Sequence, residues 1–146
     1  MVRATVVVAI LAVALGCATS RQVIVNPTAK GRSFRSAHLV IHGEPSDDVD
    51  ASIQRELLLR GLAVTAGSEE DQPADADLQV RYVDDWKWDL VMYLKRLDLQ
   101  IYDGQAGNTL LASATWKNSA LHGYHGLDKV VAKLVDETFT KMGDSR

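Results

Sequence analysis

The stretch "SAHLVIHGEPSDDVDASIQRELLLRGLAVTA", residues 36–66, decides the fold. Over residues 36–44, Leu39 and Ile41 fall on one face while His38, Val40 and His42 fall on the other, the period-two alternation of a strand. Pro45-Ser46 then opens a helix that runs to Arg60, with Ser46 as its N-cap. Asp47 and Asp48 suit the positive end of that helix dipole, and Gly61 supplies the stop. Val49, Ile53 and Leu57 recur at i, i+4 and i+8 as its buried stripe. Residues 62–66, "LAVTA", follow as a second strand. A strand–helix–strand unit of this length favours parallel strands with the helix crossing one face.

Working outward toward the C-terminus, residues 67–77 form an acidic loop whose Glu69, Glu70, Asp71, Asp75 and Asp77 are expected as solvated carboxylates. A third strand starts at Leu78, with Leu78, Val80 and Tyr82 facing one way. A long fourth segment, 91–102, puts Val91, Tyr93, Leu97, Leu99 and Ile101 on one face and Asp98 and Gln100 on the other. Residues 103–108, "DGQAGN", make a hairpin turn, and 109–117 return with Leu110, Ala112, Ala114 and Trp116 in step. Residues 127–142 form the last helix, with Leu127, Val130, Val131, Leu134, Thr138 and Phe139 as its stripe. Asp128 and Lys141 complement its dipole. The expected fold is α+β: a β-α-β-β-β-β-α two-layer sandwich, one mixed sheet with both helices on one face.

The phrases "ELLLRGLAV" and "ADLQVRY" resemble small bacterial envelope lipoproteins, in which a helix closed by Gly leads to a short strand and then to an "AD-apolar-x-V" strand. The LPS-assembly lipoprotein and the N-terminal domain of the Tol translocation protein are similar in layout over residues 36–142. The resemblance implies a non-enzymatic binding or assembly role in the envelope, and it carries over no catalytic residue.

Toward the N-terminus, Arg3 precedes an uncharged run, residues 4–15, which is shorter than the ~20 residues needed to span a bilayer. Residues 1–16 are therefore expected as a signal peptide. Ala12-Val13-Ala14 fits ordinary secretory cleavage. Residues 13–17, "VALGC", resemble instead the lipobox of bacterial lipoproteins, although Ala14 stands where Leu is usual. That resemblance implies lipidation of Cys17, the chain's single cysteine, and anchoring at the outer membrane facing the periplasm. One acyl chain holds a protein only marginally, and a triacylated Cys17 would hold it firmly. Residues 17–35 are expected as lipidated Cys and tether, and 36–146 as one domain. Arg21, Lys30, Arg32 and Arg35 make the tether basic, either solvated or attracted to anionic headgroups. "QVIVN", residues 22–26, could alternatively be a short strand docked on the body.

The net charge of −3 argues against a general nucleic-acid-binding surface. The most distinctive internal phrase is "DDWKWDLVMY", residues 84–93. Trp86 and Trp88 share a strand face, and with Tyr93 they are the candidate binding aromatics, for a sugar, a partner protein or a membrane interface. The bland alternative is that they pack. Asp84, Asp85 and Asp89 lack the loop spacing of a calcium site. His122 and His125, in "HGYHG", could join His38 and His42 around zinc or copper, but no ligand spacing supports it. No nucleophile elbow, P-loop, dinucleotide fingerprint or zinc-protease motif occurs. The expectation is an outer-membrane-anchored lipoprotein acting as a non-enzymatic module, without cofactor, on an envelope protein or glycan. The alternative is a periplasmic protein binding a small ligand or metal through its His or Trp residues.

Overall fold

The computed structural model describes residues 19–42, 47–119 and 123–143. The signal peptide, Cys17, the Ser46 cap and His122 lie outside these residues. Six strands form one mixed sheet: β1 (Ser20–Val25), β2 (Ser36–Val40), β3 (Ala63–Gly67), β4 (Leu78–Asp89), β5 (Val91–Asp103) and β6 (Leu110–Lys117), in the spatial order β1-β6-β5-β4-β2-β3. Helices α1 (Asp47–Leu59) and α2 (Leu127–Met142) lie together on one face. The expected α+β sandwich is the fold observed, and it gains one strand.

That strand is β1. Residues 20–25 pair antiparallel with β6 instead of trailing as a tether, so the docked alternative is the one realised. A single 3-10 turn over Pro27–Ala29 follows, capped by Asn26, whose Oδ1 accepts from Thr28 N. Ala29 and Phe34 are buried in the core. The reason is chemical: residues 23–34 carry Ala29 and Phe34 in the hydrophobic core and Val23 and Val25 packed against it, and apolar surface of that size leaves water. The folded body therefore includes residues 20–35, and a boundary at residue 36 is too late.

The strand–helix–strand unit forms as its sequence dictates. β2 pairs parallel with β3 and with β4, while β4–β5 and β5–β6 are antiparallel. Val49, Ile53 and Leu57 of α1 are fully buried. Gly61 adopts φ +78°, and Leu62 N donates to Leu57 O while Gly61 N donates to Leu58 O. This is the left-handed glycine stop that satisfies the last carbonyls of a helix. α2 buries Val130, Val131, Leu134, Val135, Phe139 and Met142, and Thr138 returns its hydroxyl to Leu134 O.

Two bulges alter the expected pattern. Asp85 faces Arg96 but Trp86 faces Leu94, so Lys95 is an extra residue in β5. Beyond it the side-chain parity flips. Leu94 turns into the core, while Tyr93 and Val91 leave the stripe of Leu97, Leu99 and Ile101. Likewise Ile101 faces Ala112 but Tyr102 faces Leu110, so Leu111 is extra in β6 and takes the buried place assigned to Leu110.

Candidate functional site

The register places Ser20, Lys117, Arg96 and Asp85 in one row across four strands. Beyond that row β4 and β5 continue as a two-stranded ribbon, because β2 meets β4 only at residues 78–80 and β6 meets β5 only at 96–102. The ribbon turns at Leu90. Its tip is apolar and in solvent: Trp88 is 71% exposed, Leu90 84%, Val91 48% and Met92 56%. Trp88 and Met92 face each other across the strands on one side, and Val91 sits on the other beside Asp89. Leu90 has φ +61°, a left-handed conformation that costs a non-glycine residue ~1 kcal/mol. An Asn or Gly would relieve it, so an exposed leucine at this apex is unfavourable twice over.

The two tryptophans of residues 84–93 thus part company. Trp86 is half-buried against the core, and its Nε1 donates to Asp84 Oδ2 at 2.6 Å. Trp88 projects. Tyr93, on the opposite face from both, stacks edge-on against Tyr124 with ring centroids 6.2 Å apart. The three candidate aromatics do not form one platform. Sequence reasoning missed Leu90, Val91 and Met92 as an exposed cluster. The available signal was the run "DLVM", residues 89–92, whose apolar residues do not keep a period-two alternation.

The histidines are scattered. His38 is buried, with Nδ1 2.8 Å from Thr65 Oγ1 and Nε2 2.8 Å from Ser68 O, so both ring nitrogens are engaged. His42 lies past the end of β2 and is exposed. His125 packs edge-on against Trp116, centroids 5.7 Å apart. Among the described residues no group of three His, Cys, Asp or Glu side chains is placed to hold a metal.

Several acids expected to be merely solvated hold the backbone. Asp77 Oδ2 accepts from Arg35 N and Ser36 N, at 2.6 and 3.2 Å, and tethers the start of β2. Asp71 accepts from the Ser68 hydroxyl and backbone N–H, which hold its carboxyl below the usual range. Asp103, the last residue of β5, is buried. Burial pushes its carboxyl up, yet the Arg32 guanidinium at 2.8 Å and the N–H groups of Ala106 and Gln105 outweigh that and hold it low.

One cleft of about 560 Å³ lies between the N-terminal halves of the helices, lined by Ser52, Arg55, Trp86, Leu127 and Asp128 among others. Two of its charges pair across the helices. Arg55 Nη2 reaches Asp128 Oδ1 at 2.7 Å, and Ser52 Oγ donates to the same oxygen. The arginine and then the serine lower the Asp128 pKa, while Asp128 raises that of Arg55. No helix among the described residues is long and apolar enough to cross a membrane.

No protein-family model and no curated protein matches this sequence. The fold does have relatives among solved structures. The PelC dodecamer from Paraburkholderia phytofirmans is 15% identical, covers 86% of this chain and 97% of its own, and superposes with a TM-score of 0.57. TolB from Acinetobacter baumannii matches 82% of this chain over 30% of its own, at 10% identity and a TM-score of 0.43. A minor lipoprotein from Acinetobacter baumannii matches 75% over 93%, at 13% identity and 0.42. The likeness to PelC shows a shared fold; the other two are too coarse to carry more.

Proposed function

We propose that this chain is an outer-membrane lipoprotein, acylated on Cys17, whose body is a non-enzymatic module presented to envelope protein or glycan in the periplasm. The observation that carries the reading is the spacing between the lipobox-like residues 13–17 and the first strand. β1 begins at Ser20, three residues after Cys17, so a lipid there would hold the body directly against the bilayer. The shared fold with PelC, a protein that assembles as a dodecamer, supports a role in assembly. The engagement of His38 by a threonine hydroxyl and a carbonyl, and the Arg55–Asp128 pair in the interhelical cleft, support the non-enzymatic reading.

The test is metabolic labelling with palmitate followed by membrane flotation. Wild type should take up label and float with outer-membrane vesicles, and Cys17→Ser should do neither. Equal labelling of the Cys17→Ser variant would sink the reading.

A further inference from the structure

The exposed ribbon tip and the start of β1 lie at the same end of the sheet. Ser20 stands in the row formed with Lys117, Arg96 and Asp85, and β1 runs away from that row into the sheet. Thr19 and the start of β1 therefore lie on the side toward which the ribbon projects. From Asp85 to Leu90 the ribbon extends five residues past the row, roughly 15–17 Å at ~3.4 Å per residue. Cys17 is three residues before Ser20 in sequence, a span of chain no longer than about 11 Å, and acyl chains on it would reach further still. A bilayer that holds a lipid on Cys17 is within reach of the ribbon tip.

The chemistry of the tip suits that surface. Trp88 and Met92 make one face of the tip apolar and Leu90 its apex, while on the other face Val91 stands opposite the exposed Asp89, so the wedge is apolar on the Trp88 side. Indole rings favour the headgroup–acyl boundary, where the apolar body and the N–H are both accommodated. Directly behind the tip, Lys87 pairs with Asp85 at 3.1 Å, so the wedge is not backed by an uncompensated lysine. Water is the one environment in which an exposed leucine at φ +61° gains nothing.

We propose that the tip of the β4–β5 ribbon is a second membrane contact, in which Trp88, Leu90, Val91 and Met92 enter the interfacial zone of the bilayer that holds Cys17. Lipid and ribbon together would fix the tilt of the body, which one flexible anchor cannot do. The inference rests on the acylation of Cys17 proposed above, and the experiment separates the two.

Full-length protein, matured in a bacterial host, is reconstituted into vesicles of phosphatidylethanolamine and phosphatidylglycerol containing phosphatidylcholine brominated along its acyl chains. Trp88 is the exposed indole of the chain's three, since Trp86 is half-buried and Trp116 buried. Bromine should quench the wild-type fluorescence, and Trp88→Phe should cut that quenching roughly threefold or more, as interfacial insertion of the indole requires. Leu90→Asn should also weaken quenching while its urea midpoint does not fall, because Asn tolerates the left-handed conformation. Wild-type protein that floats with the vesicles but is not quenched overturns the ribbon contact and leaves the anchor standing. Failure of the wild type to float overturns the anchor and this inference with it. Quenching that Trp88→Phe leaves unchanged overturns the ribbon contact. So does unquenched protein whose self-association in sedimentation is abolished by Leu90→Asn, because the tip would then meet a second copy.

Discussion

Phe34→Ala separates a tether from a folded element. Were residues 17–35 a solvated linker, truncating Phe34 would change nothing. In the structure its ring is 1% exposed, lies in the same core as Leu111 and Phe139, and carries the Arg32 guanidinium 5.2 Å above its centroid. Truncating a buried phenylalanine costs ~3–5 kcal/mol, and the loss of the cation–π contact adds about 0.5 kcal/mol at a partly exposed site. The neighbouring backbone will not collapse to fill the space. Gly31 N is held by Met142 O at 2.9 Å on one side of Phe34 and Arg35 N by Asp77 Oδ2 at 2.6 Å on the other, which pins the segment on both sides. A loss of about 4 kcal/mol is a large share of the ~5–15 kcal/mol expected for a domain. With a urea slope of roughly 2 kcal/mol per molar, the unfolding midpoint should fall by about 2 M. The assay is urea denaturation of the Cys17→Ser chain followed by tryptophan fluorescence. Ile24→Ala is the control, since Ile24 is 60% exposed on β1 and its truncation should stay within ~0.5 kcal/mol. A Phe34→Ala midpoint no lower than that of Ile24→Ala would refute the docking of this segment.

Gly61→Ala should destabilise by about 1 kcal/mol through the strain of φ +78° alone, because no atom lies near enough to clash with the added methyl; thermal melting measures it. Asp103→Asn should cost ~1–2 kcal/mol at neutral pH by weakening the Arg32 and backbone contacts. Because the folded-state pKa of Asp103 is depressed, that stability is present above the unfolded value near ~3.9 and is lost as pH falls through the lower folded value. The gap between wild type and Asp103→Asn in chemical denaturation should therefore narrow below about pH 4. Trp86→Ala should cost about 2 kcal/mol, since its ring packs on the core and its N–H is bonded to Asp84, with a matching drop in the urea midpoint.

The layers of this fold were legible where the periodicity was unbroken. α1, its glycine stop, the last helix and the parallel start of the sheet all follow from spacing alone. The errors gather at the two bulges. An inserted Lys95 sends Tyr93 and Val91 away from the face that counting from Leu97 gives them, and an inserted Leu111 does the same to Leu110. A bulge leaves no local signature in a run such as "YLKRL" or "TLLAS", because which residue is extra depends on the partner strand. Residues 20–25 were ambiguous for a related reason. A six-residue edge strand is stabilised by its partner β6 and by α2, contacts far away in sequence. The exposed tip followed from the same loss of parity, since Val91 had been counted into the core.

The basic character of residues 21–35 then takes on another meaning. Set against an acidic body, these charges suggested attraction to anionic headgroups. Two of the four pair with acids of the body. Arg32 closes on Asp103 at 2.8 Å, and Arg21 lies 3.5 Å from Glu137 of α2. Arg35 contributes its backbone N–H to Asp77. The exposed pair at Glu137 adds little, ~0–1 kcal/mol, whereas Asp103 is enclosed enough for its partner to matter. The Arg32–Asp103 pair thus helps to seat the segment that follows the first strand. With those cations engaged by the fold, the case for headgroup attraction by the stem weakens. The exposed apolar tip of the ribbon stands at the end of the sheet where β1 begins.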